Sequence, residues 1–252
     1  MKSFALCGIK NRNMDKISIY CSGNRPHLWH NFRSLEDNKT EFEIIFVGDR
    51  NPDFELLPYM KFIYSTVKPS QCSYIAAKNA DGNYLLNLND DLIVSPHCLD
   101  NMLRLLKTLD ETSTIISMKY FKKCLLVRNG FLVKHHPGTE MPGDMLISTA
   151  SLTSRHFFDR YIIDKNFIGV CWDMDISMEN NVNGGQVVIC QDTLVMDIEC
   201  TNAIKSWGDY EYFLALWTTD GRMVCNRTSP RDPIVDSDDI LTVSQGRKGK
   251  WD

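Results

Sequence analysis

The sequence predicts an α/β fold, in which a mostly parallel sheet is flanked by helices and a smaller mixed sheet follows in the second half. In the first half, strand-like runs alternate with helical patterns about every 20 residues, which is typical of a parallel sheet covered on both faces. These runs are nearly continuous in apolar residues, as in the segment 43–47. Strands that are buried on both faces have this pattern.

Each predicted element of the first half depends on a local pattern. β-Rich or apolar runs predict strands at residues 16–21, 43–47, 60–64 and 84–88. Apolar residues at helical spacing predict helices at residues 27–35 and 70–79. A third helix is predicted after Ser95, which is a good N-cap, with Pro96 at the first helical position, where its missing N–H costs nothing.

The second half is less regular, and its boundaries are less sharply marked. Strands are predicted at residues 114–118, 123–127, 131–133, 144–151, 186–190 and 193–197, and helices at 154–161, 173–180 and 210–217. From residue 226 onward the chain is polar, which predicts a tail or a lid that a ligand orders. No linker or repeat divides the chain, so we expect a single domain over residues 1–252, with one half at 14–110, another at 111–225 and the tail at 226–252.

Composition excludes several classes of protein. The 252 residues are 43% hydrophobic and 24% charged, as in ordinary globular domains, and the net charge of −4 disfavours a nucleic-acid-binding surface. Nine cysteines without a Cys-x-x-Cys pair indicate reduced thiols in a reducing compartment. No run approaches the roughly 20 apolar residues that span a bilayer. We therefore expect a cytoplasmic protein without a membrane span.

Polar residues follow three of the predicted parallel strands, at the point where each strand ends. In an open parallel sheet, ligands bind outside the carboxyl ends of the strands, so these residues should converge on one crevice. They are Ser22, Gly23, Asn24 and Arg25 after the first strand, Asp49 after the second, and Asn89, Asp90 and Asp91 after the fourth.

Adjacent carboxylates at the end of a buried strand repel each other and need compensation. Mg²⁺ takes oxygen ligands and usually keeps one or two protein carboxylates, with substrate phosphates completing the coordination. Mn²⁺ suits the same ligands. The triplet Asn89-Asp90-Asp91 is therefore a candidate metal site, and a solvated turn is the alternative. Asp49 is a candidate for binding a ribose hydroxyl or a base N–H, with a plain turn residue as the alternative.

Two further carboxylates, Asp173 and Asp175, lie near the start of a predicted helix. They are two residues apart and so do not share a helix face. One of them is a candidate general base that points into a cleft. The alternative is that both only cap the helix N-terminus, where the helix dipole favours negative charge.

The order of these features resembles the GT-A glycosyltransferases, in particular family 2. The resemblance is carried by the first strand with its Asn-Arg, by residues 80–91 (ADGNYLLNLNDD), by residues 169–177 (GVCWDMDIS), and by the Gly-Gly and strand that follow at 184–188. It implies a GT-A fold and a metal-dependent glycosyltransferase using Mn²⁺ or Mg²⁺. Such an enzyme moves a hexosyl or pentosyl group from a nucleotide-diphosphate sugar, with UDP favoured, to an acceptor hydroxyl, by a single displacement if it inverts configuration.

The resemblance also implies a role for each matching residue. Asp49 would contact the nucleoside, Asp91 would ligate the metal, and Asp90 would face the ribose or the metal. Asp173 would be the catalytic base, with Asp175 as its substitute. The segment from Ser22 to Arg25 would wall the nucleotide site in the first half of the chain, and the second half would bind the acceptor.

This sequence departs from the family pattern at several positions. Asn89 replaces the first carboxylate of the metal triplet, Trp172 stands where a glutamate usually precedes the base, and Met178-Glu179 replaces the usual arginine. The late metal-ligating histidine has no match, and Asp197 at the end of its strand is the candidate substitute.

Other functions remain open at the level of sequence. A sugar-phosphate nucleotidyltransferase is disfavoured because the loop after the first strand has only one Gly and one Arg. A non-catalytic binder of nucleotide sugars or carbohydrates would keep Asp49 and Asp91 but would not need Asp173. The acceptor is a glycan or another hydroxyl compound, and the acidic composition disfavours a nucleic-acid acceptor.

Overall fold

A computed structural model describes residues 15–122, 125–128, 131–133, 145–147, 150–161, 163–198, 207–224 and 226–232. Its strands are β1 (Ile17–Ser22), β2 (Phe42–Gly48), β3 (Met60–Tyr64), β4 (Tyr84–Asn87), β5 (Leu92–Val94), β6 (Thr114–Lys122), β7 (Leu125–Arg128), β8 (Phe131–Val133), β9 (Met145–Ile147), β10 (Ser151–Ser154), β11 (Gln186–Asp197), β12 (Thr218–Thr219) and β13 (Arg222–Met223). Its helices are α1 (Pro69–Lys78), α2 (Cys98–Leu106), α3 (Arg155–Arg160), α4 (Trp172–Val182) and α5 (Trp207–Trp217), together with a 3₁₀ helix over Pro26–Leu35.

The main sheet has the strand order β3-β2-β1-β4-β10-β6-β11-β5, with β7 paired to β6. The four strands from β3 to β4 are parallel, β10 is antiparallel to both of its neighbours, and β11 is parallel to β6. Two small antiparallel pairs, β8-β9 and β12-β13, lie outside this sheet. The predicted α/β class with a mostly parallel sheet and a smaller additional sheet is confirmed.

Two hydrophobic cores cover the two faces of the sheet. Because side chains alternate along a strand, Ile19 of β1 points into one core and its neighbour Tyr20 into the other. The Ile19 core contains Trp29 of the 3₁₀ helix, whose ring stacks on Phe46 at 3.8 Å between centroids. The Tyr20 core contains α1, α4 and α5. The carboxyl edge of the sheet lies between these layers and is left to polar residues.

The helix α2 begins later than the sequence predicts. Ser95 does not cap it, because its Oγ accepts a hydrogen bond from the Leu194 amide and continues the pairing of β5 with β11. The N-cap is His97 in the left-handed region, at φ 55°, and the side chain of Asn38 accepts the Leu99 amide. A cap supplied from 61 residues away is invisible to a local sequence rule.

Other elements differ from their predictions in detail. The segment 27–35 forms a 3₁₀ helix rather than an α-helix, and the two predicted strands at 186–197 form one strand, β11, with an irregularity after Cys190. At the start of the predicted tail or lid, Arg227 and Arg231 pair with Asp175 of α4, and the segment after residue 232 lies outside the described residues. The five cysteines in the described ranges are unpaired and buried. None of the helices in that part of the chain has the length and apolarity needed to cross a membrane.

Glu43 forms a buried ionic cluster toward the amino end of the sheet. Its carboxylate accepts Ser18 Oγ at 2.6 Å, the Asp81 amide at 2.8 Å and Lys61 Nζ at 2.6 Å, and Lys16 Nζ lies at 3.4 Å. Burial alone raises the pKa of Glu43, but these hydrogen bonds outweigh it and lower the pKa to about 2.

This cluster makes stability depend on pH. Because the folded pKa lies below the ordinary value of 4.5, ionised Glu43 contributes stability that is present above pH 4.5 and lost as the pH falls toward 2. We expect Glu43→Gln to lower the free energy of unfolding by about 3 kcal/mol at pH 7. Urea unfolding at pH 7 and at about pH 2.5 measures it, and the difference from wild type should shrink at the lower pH. Glu41→Gln, at an exposed neighbouring carboxylate, is the control, and a pH-independent difference for Glu43→Gln would contradict the assignment.

Candidate active site

The carboxyl ends of β1, β2 and β4 meet at one edge, as the parallel pairing requires. The loop after β1 is drawn against the end of β2, where the Gly23 amide donates to the Val47 carbonyl at 2.8 Å. A Cβ at Gly48 would lie 2.1 Å from the Gly23 carbonyl oxygen, so the close approach of these two chains needs a glycine at position 48. The same loop meets the segment after β4, because Asn24 and Arg25 contact Asp90 and Arg25 contacts Asp91, as the predicted convergence requires.

Both carboxylate oxygens of Asp90 accept hydrogen bonds from the loop after β1. One of its oxygens accepts the backbone amides of Asn24 and Arg25 at 2.7 and 2.6 Å. The other accepts Arg25 Nε and Nη2 at 2.9 and 2.6 Å. The residue is only 2% exposed. Its bonding capacity goes into shaping this loop, which argues against the metal-ligating and ribose-contacting roles suggested for Asp90 by the family pattern.

Asp91 is buried, but one of its oxygens lacks a hydrogen-bond donor in the described part of the chain. Arg25 Nη1 lies 2.8 Å from its Oδ2, whereas Oδ1 is buried and has no hydrogen-bond partner among the described residues. Burial raises the pKa of Asp91 to about 6; Arg25 opposes this shift, and the charges of Asp90 and Asp197 add to it. A buried carboxylate oxygen with no donor, surrounded by excess negative charge, is a good ligand for a cation.

Asp197 is placed beside Asp91 by the pairing of β11 with β5. Asp197 stands opposite Leu92, and the Ile198 amide donates to the Asp91 carbonyl at 3.2 Å. One Asp197 oxygen accepts the Tyr120 hydroxyl at 3.0 Å. Among the described residues no three His, Cys, Asp or Glu side chains are grouped so that they could hold a metal unaided. The Asp91 oxygen without a donor, with Asp197 beside it, fits a cation that takes one or two carboxylates and further oxygens from a substrate.

The remaining predicted donor-site residues line the same edge. Asp49 is half-buried at the end of β2, and its charge contributes, after burial, to raising the pKa of the Cys72 thiol to about 12. Ser22 is half-buried at the end of β1, and Asn89 is exposed. Asp49 and Asn89 are thus accessible, as ligand-binding residues must be.

Two buried side-chain amides, of Asn24 and Gln71, also have polar atoms without a hydrogen-bond partner in the described part of the chain. Asn24 Oδ1 and both amide atoms of Gln71 are buried without a hydrogen-bond partner in the described ranges. Gln71 lies in the first turn of α1, one residue before Cys72, and is completely buried. Gln71 is not predictable as a site residue from sequence, because a lone glutamine in a helix carries no signal before its burial is known. Unpartnered buried polar atoms are rare in folded proteins and often mark ligand sites.

Asp173 faces a small pocket on the Tyr20 side of the sheet. The pocket encloses about 20 Å³ for the centre of a water-sized molecule, which is room for one hydroxyl group. Its polar lining consists of Asp173, Tyr20 and three serine or threonine hydroxyls, at Ser151, Thr153 and Ser177. Trp172, which precedes Asp173, packs near the Tyr20 ring at 6.3 Å between centroids and forms part of the pocket wall.

Asp175 points the other way and is enclosed. It is 1% exposed and accepts Trp217 Nε1 at 2.9 Å, Arg227 Nε at 3.0 Å and Arg231 Nε at 3.1 Å. Arg227 also binds the buried Asp164. With its oxygens filled by these donors, Asp175 has no access to a substrate, which argues against its suggested role as a substitute base.

The loop before α4 is held from two sides. Asp209, at the start of α5, accepts three consecutive backbone amides, from Ile168, Gly169 and Val170, at 2.8 to 3.1 Å. Ser70 of α1 binds the same loop through the Ile168 carbonyl. Asp209 was not found by sequence analysis, because its partners are backbone groups about 40 residues away.

Comparisons with known proteins bear on this arrangement. No family model matches the sequence, and no curated protein matches it. Solved structures do match: a crystal structure of S. aureus TarS 1–349 aligns with a TM-score of 0.57 and 13% identity, covering 73% of this chain and 60% of that one. TarS 1–349 in complex with UDP aligns with a TM-score of 0.53 and 14% identity, covering 72% and 60%.

The chain has a GT-A-type fold. This confirms the fold that the sequence resemblance implied. At 13–14% identity, the similarity to these structures shows the fold alone. This GT-A chain spans about 60% of the length of the TarS structures that it matches.

Proposed function

We propose that this protein is a glycosyltransferase that moves a sugar from a nucleotide-diphosphate sugar to an acceptor hydroxyl. The observation that carries the proposal is that Asp91 Oδ1 and Asn24 Oδ1, both at the carboxyl edge, are buried without a hydrogen-bond partner among the described residues. Ligands of open α/β sheets bind at this edge. The arrangement places a carboxylate oxygen without a donor, which can bind a cation, next to a buried polar atom that can bind a ligand.

UDP is the favoured nucleotide. One of the structures with the same fold holds UDP, which supports a nucleotide site without identifying the donor of this chain. Asp49 would bind the nucleoside through its ribose hydroxyls or base N–H, since its carboxylate is accessible at the end of β2. Ser22 to Arg25 would form the adjoining wall. We propose a hexosyl or pentosyl donor and a glycan or other hydroxyl acceptor.

Mg²⁺ or Mn²⁺ fits the site through Asp91, with Asp197 as the neighbouring carboxylate. Such an ion, when bound, supplies charge stabilisation for the leaving diphosphate. Asp90 is left out of the proposed ligand set, because its oxygens accept donors from Asn24 and Arg25.

Asp173 is the proposed base. Asp173 lines a pocket with room for one hydroxyl group, and its carboxylate would take the proton from the acceptor as the oxygen attacks the anomeric carbon. The nucleotide diphosphate leaves with the electron pair of the broken bond. A single displacement of this kind inverts the anomeric configuration.

Ligand-induced stabilisation tests the donor site. We expect UDP with Mn²⁺, at about 100 times the dissociation constant, to raise the free energy of unfolding by roughly 2.7 kcal/mol. Thermal-shift measurements with UDP, other nucleoside diphosphates and nucleotide sugars, each with and without Mn²⁺, provide the readout. Asp91→Ala should abolish the metal-dependent part of the shift.

Asp192→Ala, at an exposed aspartate on β11, is the matched control and should respond as wild type does. The absence of a shift with every nucleotide in wild type would contradict the proposed donor site. A shift without sugar transfer or donor hydrolysis would instead indicate a non-catalytic nucleotide-sugar binder.

A further inference from the structure

Arg25 joins Asp91, the proposed metal ligand, to its neighbour Asp90. Its guanidinium binds Asp90 through two nitrogens and Asp91 through the third, Nη1, at 2.8 Å. The side chain is 17% exposed, so this ion pair is partly shielded from water. The two carboxylates are nevertheless unequal, because Asp90 also accepts two backbone amides and Asp91 keeps one oxygen without a donor.

This inequality separates the tasks of the two aspartates. Without Arg25, the buried carboxylate of Asp90 would keep only two backbone amide donors. The Asp90 contact therefore holds Arg25 in place. Asp91 pairs with Arg25 through Oδ2, keeps Oδ1 without a donor among the described residues and lies next to Asp197, so it is the carboxylate at which a further cation can bind. A cation at Asp91 would also meet the positive charge of Arg25 at close range, which opposes its binding.

We infer that Arg25 is a resident counter-ion of the Asp90–Asp91 pair, and that it makes cation binding at Asp91 depend on the donor diphosphate. The inference rests on the proposed function for the identity of the ligand. A diphosphate brings negative charge that pairs with a guanidinium and with a divalent ion at once. The metal alone then binds weakly, and metal and nucleoside diphosphate bind cooperatively.

Mn²⁺ binding without nucleotide tests this directly. We expect Arg25→Gln to bind Mn²⁺ about tenfold or more tightly than wild type, because a neighbouring positive charge is removed. Titration calorimetry or Mn²⁺ EPR measures the affinity. Asp91→Asn added to Arg25→Gln should remove the gain and so locate it. Arg104→Gln, at an arginine whose side chain is 71% exposed, is the matched control and should leave Mn²⁺ affinity unchanged.

Without metal, Arg25→Gln is expected to be less stable than wild type, since Asp90 loses its charged partner. Arg25→Lys keeps a charge for Asp90 but cannot span both carboxylates as a planar fork does. It should be folded and should show a smaller gain in Mn²⁺ affinity. If both variants are folded and bind Mn²⁺ no more tightly than wild type, the counter-ion role of Arg25 is wrong.

Cooperativity provides the second readout. In wild type, Mn²⁺ should tighten UDP binding by a larger factor than it does in Arg25→Gln, and equal factors in the two proteins would overturn the inference. Failure of UDP to bind wild type under any condition would instead contradict the proposed function. The Mn²⁺-only comparison does not involve a nucleotide, so the two failures are distinguishable.

Discussion

Asp173→Asn should lower kcat by about 10²–10⁴-fold while leaving UDP affinity unchanged. The physical reason is that an amide cannot take a proton from the acceptor hydroxyl, although it keeps the shape of the pocket. The pocket is lined by none of the residues proposed to bind the nucleotide, so the substitution should leave the nucleotide site intact. Sugar transfer from the donor identified by thermal shift, followed at saturating donor and acceptor, measures the loss.

Two comparisons make this result specific. Asp192→Asn, at an exposed aspartate, is the matched control and should retain full turnover. NMR of the product with the wild-type enzyme should show inverted anomeric configuration. Near-normal turnover of a folded Asp173→Asn variant, or retained configuration in the product, would contradict a base role for Asp173.

Arg227→Met should lower the free energy of unfolding by about 3–5 kcal/mol, which is the usual effect of breaking a buried ion pair from one side. Arg227 is 7% exposed and pairs with Asp164 and Asp175, which are 0% and 1% exposed. Without the guanidinium, Asp164 keeps the Tyr212 hydroxyl and Asp175 keeps Trp217 and Arg231. Arg231 still supplies a positive charge to Asp175, but the donors left to Asp164 are neutral, so Asp164 is the buried carboxylate that loses its cation.

Urea unfolding at pH 7 measures this loss. Lys165→Met is the control, because its ion pair with Asp232 at 3.0 Å is partly exposed and should contribute no more than about 1 kcal/mol. Similar losses for the two variants would show that Arg227 is not a buried anchor. A double-mutant cycle with Asp175→Asn isolates the coupling between the two side chains.

Much of the first half of the fold could be predicted from sequence. The strands β1 to β4 and the helix α1 lie within a residue or two of their predicted positions, because continuous apolar runs and turn residues are local signals. The start of α2 was misplaced because Asn38, distant in sequence, supplies its cap. The short strand β5 was not predicted, since three residues carry too little pattern and depend on pairing with β11.

The sequence predicts which residues lie at the candidate site, but not which of them are buried or which partners they bind. Parallel pairing was enough to expect that Asp49 and Asp91 would lie at the same edge. The burial of Gln71 and the anchoring of the 168–170 loop by Asp209 could not be expected, because they arise from helix packing and from backbone groups. The roles proposed for Asp49, Asp91 and Asp173 remain predictions that the experiments above test.

By itself, the sequence determined which carboxylates follow strands and open helices, because strand ends and helix starts are encoded within a few neighbouring residues. Only the tertiary structure decided which of these carboxylates are bound by donors from elsewhere in the chain and which remain available to a ligand. Asp90 receives Arg25 from 65 residues away, and Asp175 receives Arg227 and Arg231 from 52 and 56 residues away. Asp91 keeps an oxygen without a donor, and Asp173 faces a pocket. Within each pair the residues are chemically identical, so their difference arises from the partners that packing of distant segments brings to them.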